Sequence, residues 1–216
     1  MKKSVFTLSI FFLTIWFGQA QEIQLIKDFV SGNDGLDIID HVVIADQLFF
    51  TVENDSTQQT NLWVTDGTLD GSVLLHDSLP LWNVAKGEML SVFADKCYFP
   101  AFDNEHGYEL WRTDGSLVGT ELFVDIIDGP ESSAPSGMEV LNSSLLIWAS
   151  KKNGNDLERA IYRSDGITPT VELITAIDPC FFNNNKALNT KANIGGTIYF
   201  SYYLDYCLWK TDGTAQ

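Results

Sequence analysis

Leu110-Trp111-Arg112-Thr113-Asp114-Gly115-Ser116 decides the reading, because the chain writes this stretch four times. It stands upstream as Leu62-Trp63-Val64-Thr65-Asp66-Gly67-Thr68. Downstream it returns degraded as Ile161-Tyr162-Arg163-Ser164-Asp165-Gly166, and cleanly as Leu208-Trp209-Lys210-Thr211-Asp212-Gly213-Thr214. The aspartates lie 48, 51 and 47 residues apart. Eleven residues after the first two stand Asp77 and Asp125, each closing a Leu-rich run, with Ala176 at that place in the drifted third unit. Leu25-Ile26-Lys27-Asp28-Phe29 carries the same pattern near the start of the chain. A third anchor precedes each Asp-Gly by about 20 residues: Ala45-Asp46, Ala94-Asp95, Asn142-Ser143 and Gly195-Gly196, each leading into a β-branched or aromatic run. The unit therefore reads as three or four short strands joined by turns.

Repeats of this length and content are the signature of β-propeller blades. A lone four-stranded blade has two apolar faces and cannot bury them, whereas blade on blade buries both. Trp and Phe supply much of that area. The expected fold is all-β: a propeller-like array of about four repeats spanning residues 21–216, complete or part of a larger propeller. In the first case Leu25–Phe29 supplies the last strand of the fourth blade and closes the ring. Outside the first 20 residues helical periodicity is nearly absent.

The address is written at the start. Met1-Lys2-Lys3 is followed by an apolar run from Val5 to Phe17 and by Gly18-Gln19-Ala20-Gln21, the layout of a secretory signal peptide over residues 1–20. The run is shorter than the ~20 residues a membrane span needs, which argues against the alternative of an uncleaved anchor. No transmembrane segment is expected after cleavage. The whole chain carries a formal charge of −16 with a pI of about 4.3. Such a surface repels phosphate backbones and anionic lipid, so nucleic acid is excluded as a partner. An apolar fraction of 45% with 19% charged residues excludes disorder. Export places Cys97, Cys180 and Cys207 in an oxidising compartment, where three thiols allow one internal pair; Cys180 with Cys207 is the nearer in sequence.

Glu109-Leu110-Trp111-Arg112-Thr113-Asp114-Gly115-Ser116, followed by Gly119-Thr120-Glu121-Leu122-Phe123-Val124-Asp125-Ile126, resembles the ELWxxDGT repeat of exported bacterial proteins. In that family the repeat often stands beside a C-terminal cell-surface sorting domain. The resemblance covers nearly all of the chain after the leader. It implies a propeller-like extracytoplasmic protein and brings no activity with it. Asn61 and Cys207 replace the motif Glu in the first and fourth copies, and Ala160-Ile161-Tyr162 replaces Glu-Leu-Trp in the third.

The motif residues read first as structure. Gly67, Gly115, Gly166 and Gly213 accept positive φ in a type I′ or similar tight turn, and the preceding aspartates take backbone N–H groups. The alternative is a calcium-binding ring of Asp66, Asp114, Asp165 and Asp212, although nothing matches the D-x-[DN]-x-[DN]-G loop. Trp63, Trp111 and Trp209 alternate in face with Leu62, Leu110 and Leu208, so each pair can serve two blade interfaces. Specificity is sought in the variable loops Glu53–Asn61, Asp103–Tyr108, Ser150–Arg159 and Tyr202–Tyr206, all expected on one rim. The candidate binding residues are Asp103, Glu105 and His106, the densest group of metal-ligand types, and Tyr202, Tyr203 and Asp205, a glycan-like composition that blade packing explains equally well. No H-E-x-x-H, G-x-S-x-G, Walker A or G-x-G-x-x-G is present. The function expected is non-enzymatic binding of a protein, a glycan or the cell surface through these loops, without a cofactor. The alternatives are a secreted carbohydrate-active hydrolase or lyase using rim carboxylates, and a structural spacer of a longer surface protein.

Overall fold

The computed structural model describes residues 26, 36–54, 59–79, 89–177, 188–202 and 207–215. The expected leader at 1–20 lies outside them, as do Cys180, Tyr203, Asp205 and all of Leu25–Phe29 except Ile26, which is 41% exposed. Every regular element described is a strand. Four antiparallel sheets follow one another along the chain, each in the plain order of its strands. Blade 1 contains β1 (Leu36–Ile44), β2 (Gln47–Asn54), β3 (Gln59–Thr65) and β4 (Val73–Leu79). Blade 2 contains β5 (Ser91–Phe93), β6 (Lys96–Asp103), β7 (Gly107–Thr113) and β8 (Glu121–Val124). Blade 3 contains β9 (Gly137–Leu141), β10 (Ser144–Asn153), β11 (Asp156–Ser164) and β12 (Glu172–Ile177). Blade 4 contains β13 (Leu188–Ile194), β14 (Thr197–Tyr202) and β15 (Trp209–Thr211). The described residues form a β-propeller of four blades.

The core lies between blades. Phe49, Leu62 and Val64 of blade 1 meet Cys97, Phe99 and Ala101 of blade 2. Tyr98, Leu110 and Phe123 carry blade 2 onto Leu145, Ile147 and Tyr162 of blade 3. Leu146, Trp148 and Ile161 carry blade 3 onto Ile198, Phe200 and Tyr202 of blade 4. Strand alternation explains the pattern, since Leu110 faces forward while Trp111 packs back against the first interface. Leu62 and Leu110 are wholly buried, but Leu208 is 74% exposed, so the expected two-interface pairing fails in blade 4. Trp63, Trp111 and Trp209 are half-buried, Trp111 against the first interface and Trp209 against the third.

The tight hairpins are not where Asp-Gly suggests. Two-residue loops join the first two strands of every blade, at Ala45-Asp46, Ala94-Asp95, Asn142-Ser143 and Gly195-Gly196. In the last three both residues have positive φ, as a type I′ turn requires. The Asp-Gly segments instead open longer connections, Thr65 to Val73 in blade 1 and Thr113 to Glu121 in blade 2, in which glycine alone has positive φ. The type I′ expectation for Asp-Gly is thereby corrected: the side chains of the loop, not a two-residue reversal, set its shape.

That shape is repeated. Thr68 N–H and hydroxyl both donate to Asp66 Oδ1 (2.9 and 2.7 Å), Gly67 N–H donates to Thr65 Oγ1 (3.1 Å), and Gly71 N–H to Thr68 Oγ1 (2.9 Å). Blade 2 copies this with Ser116 on Asp114, Gly115 on Thr113 and Gly119 on Ser116. Blades 3 and 4 keep the first part, with Thr168 on Asp165 and Thr214 on Asp212. A Cβ on Gly71 or Gly119 would overlap the carboxylate of Asp66 or Asp114, which explains a second glycine five residues after the aspartate. Beyond blade 1 the Asp-Gly glycines also touch the preceding blade: a Cβ on Gly115 would press on Gln47 and Phe49, and one on Gly166 on Phe93 and Tyr98.

Candidate functional site

Antiparallel order divides the loops between two rims. The two-residue hairpins and the Asp-Gly loops share one rim, which is nearly constant from blade to blade. The connections between the second and third strands share the opposite rim with the links from blade to blade, and there each blade differs.

On the constant rim the four aspartates are occupied. Asp66, Asp114, Asp165 and Asp212 all titrate below the usual carboxylate range, because their own loops donate to them: side-chain hydroxyls foremost in three, the backbone of Ile167 and Thr168 foremost at Asp165. Each carboxylate serves its own blade. Among the described residues no group of three or more His, Cys, Asp or Glu side chains stands close enough to hold a metal ion.

On the variable rim, the described part runs from β6–β7 through the link between blades 2 and 3 to β10–β11. Asp103 Oδ1 accepts the N–H groups of Glu105 (2.8 Å) and His106 (2.7 Å), and its carboxylate pairs with His106 Nδ1 at 2.9 Å. Desolvation pushes the Asp103 carboxyl up, but the hydrogen bonds from His106 and Glu105 outweigh it and hold it low. The same bond from Asp103 raises the His106 imidazole. The structure thus brings Asp103 and His106 together as a closed turn and leaves Glu105 exposed beside it. Tyr202 is only 4% exposed and lies edge-on to Phe200 at 5.9 Å, so its ring belongs to the core between blades 3 and 4.

Sequence reasoning missed Glu109, the motif glutamate, because nothing in a repeat distinguishes a buried acid from an exposed one. It is 0% exposed. Its carboxylate accepts Ser133 N–H (2.7 Å), Ser133 Oγ (2.5 Å) and Ile126 N–H (3.0 Å), so β7 holds both ends of the link to blade 3. Burial nevertheless pushes this carboxyl up to about 7, with Asp125 adding repulsion. Asp40, also buried, ties blade 1 to the entry of blade 2 by accepting Leu90 N–H at 2.8 Å. These two acids belong to different links and do not converge as a catalytic pair would.

Along the same rim Ser150 N–H donates to Ser133 O (2.6 Å), and Lys152 pairs with Glu131 at 2.8 Å. Exposed pairs of this kind contribute at most ~1 kcal/mol, so Lys152 stays available to a ligand. A 450 Å³ cleft opens elsewhere, between the outer strands of blades 3 and 4, lined by Thr175, Tyr199, Trp209 and Asp212 among others.

No family model matches the chain, and no curated protein does. Solved structures do match. One is the β-propeller domain of the Trilobed protease from Pyrococcus furiosus, whose structure shows an open velcro topology, with 12% identity, TM-score 0.39, and coverage of 81% of this chain and 69% of that one. Another is the α-L-arabinofuranosidase Arb93A from Fusarium graminearum, with 11% identity, TM-score 0.42, and coverage of 76% and 56%. A third is the α-L-arabinofuranosidase CtGH43 from Clostridium thermocellum, with 13% identity, TM-score 0.39, and coverage of 76% and 59%. The chain thus spans less than two thirds of either arabinofuranosidase. At such identities the likeness concerns the fold alone.

Proposed function

We propose that this chain is an exported, non-enzymatic binding propeller of the ELWxxDGT-repeat type, which holds a glycan, a protein or a component of the cell surface on its variable rim. The observation that carries the reading is the unequal construction of the two rims. One is spent on self-satisfied, repeated loops, whereas the other differs in every blade and keeps charged side chains such as Lys152 and Glu105 at the surface, with His106 half-buried beside them. Binding residues gather on loops held by a rigid scaffold. A disulfide at Cys207 and the acidic surface suit a protein outside the cell.

The test is a glycan array and an immobilised envelope fraction, probed with the full chain and with two variants. Lys152→Glu with His106→Ala alters the variable rim, and Thr214→Ala alters the constant one. Binding reduced tenfold or more by the first and unchanged by the second is expected. Binding that follows Thr214 instead, or cleavage of array glycans, would overturn the reading.

A further inference from the structure

Arg159 stands near the start of β11, at the variable rim. It is 8% exposed, and its Nε and Nη1 have no hydrogen-bond partner among the described residues. None of the ion pairs described includes it. A guanidinium cannot lose its proton in a protein, so its charge must be met from somewhere. Trp148, wholly buried, has an Nε1 that is equally without an acceptor. The ladder pairs Arg159 with Ser150 and Ile161 with Trp148, which makes Arg159 and Trp148 diagonal neighbours on one face of blade 3. Such neighbours stand about 7 Å apart. That face packs on blade 4 through Phe200 and Tyr202.

All three orphan atoms are donors on side chains that have no acceptor of their own. What completes them is an acceptor carrying negative charge. Buried donors left unmet are rare in native proteins, and each calls for an explanation. We propose that Arg159, with Trp148 beside it, anchors the carboxylate of a small ligand on the face of blade 3 that meets blade 4. The inference rests on the rim-binding reading and names the ligand chemistry: one carboxylate on an otherwise neutral body. A single cation in a chain of net charge −16 accommodates one negative group, while a polyanion would be repelled.

The experiment uses D-glucuronate as the probe and D-glucose as its neutral control, with calorimetric titration and thermal unfolding of the full chain. Arg159→Met keeps the aliphatic stem and removes the charge. The expected result is a rise in Tm with glucuronate and none with glucose. Arg159→Met should lose that response, weakening glucuronate at least tenfold, while its own Tm without ligand equals or exceeds that of the parent. Absence of a glucuronate response in the folded parent, or an equal response in Arg159→Met, overturns the proposal. So does a Tm in Arg159→Met far below the parent, which would make the arginine a structural tie. Array binding that is identical in parent and Arg159→Met would overturn the anchor and leave the rim reading standing. Binding that follows the constant rim would remove the rim reading itself.

Discussion

Replacing Glu109 with glutamine tests the buried link between blades 2 and 3, and the expected effect depends on pH in sign as well as size. The carboxyl titrates near 7 in the folded chain against an ordinary 4.5, because burial disfavours the charge. Between those values the folded state holds a proton that the unfolded state has released, so stability falls as pH rises. At 1.36 kcal/mol per unit, the loss from pH 4 to pH 8 is about 3 kcal/mol. The Glu109→Gln side chain does not titrate and is spared that loss. It has a different defect, since its amide nitrogen takes the place of Oε2 and Ile126 N–H is left without its acceptor. An unmet buried N–H costs about 1–3 kcal/mol at any pH. The parent should therefore be the more stable protein at pH 4.5, and the variant should equal or surpass it at pH 8. Urea unfolding of both at the two pH values reads the difference directly, because every other titrating group is common to both. A gap between parent and variant that changes by less than about 0.5 kcal/mol across that range would refute the claim that burial governs this carboxyl.

Gly67 and Gly166 both have positive φ, but only Gly166 also lies against the preceding blade. Gly67→Ala should cost about 1 kcal/mol from the backbone alone, and Gly166→Ala clearly more, as judged by urea midpoints. Gly119→Ala should be strongly destabilising in the parent and nearly neutral when Asp114→Ala has removed the carboxylate it strikes; additivity in that double-mutant cycle would show that the two do not share space. Ala94 and Asp95 occupy a type I′ turn without the residues such turns favour. Ala94→Asn with Asp95→Gly should raise stability by about 1 kcal/mol in thermal unfolding, and a loss would contradict the turn geometry.

The blades were legible because a period survives drift: Ile161-Tyr162 occupies the same strand place as Leu110-Trp111 although both residues have changed. Alternation also gave the two faces, so Leu110 and Trp111 fall in different interfaces. Turn type was not legible. Asp-Gly carries a strong hairpin signal, yet here hydroxyls at Thr65 and Thr68 hold the loop open, while strand twist forces Ala94 and Asn142 into conformations their composition does not advertise. The rim was legible as a place but not in its chemistry. Burial of Glu109 and Arg159 depends on neighbours from another blade, and one chain segment does not record its neighbours.

Tyr98 Oη (2.7 Å) and Arg112 Nη1 (3.2 Å) of blade 2 both donate to the carbonyl of Gly166 in blade 3, and Arg163 Nη1 of blade 3 donates to that of Gly213 in blade 4 at 3.2 Å. Blades 2 and 3 thus each reach forward to the Asp-Gly loop of the next blade from the same strand position, Arg112 and Arg163. In a linear array, cooperativity is the sum of such nearest-neighbour couplings. Arg112 and Arg163 are then among the couplings whose loss lets a single unfolding transition separate into two. Weakening either one should let native-state hydrogen exchange distinguish the blades before it from those after it.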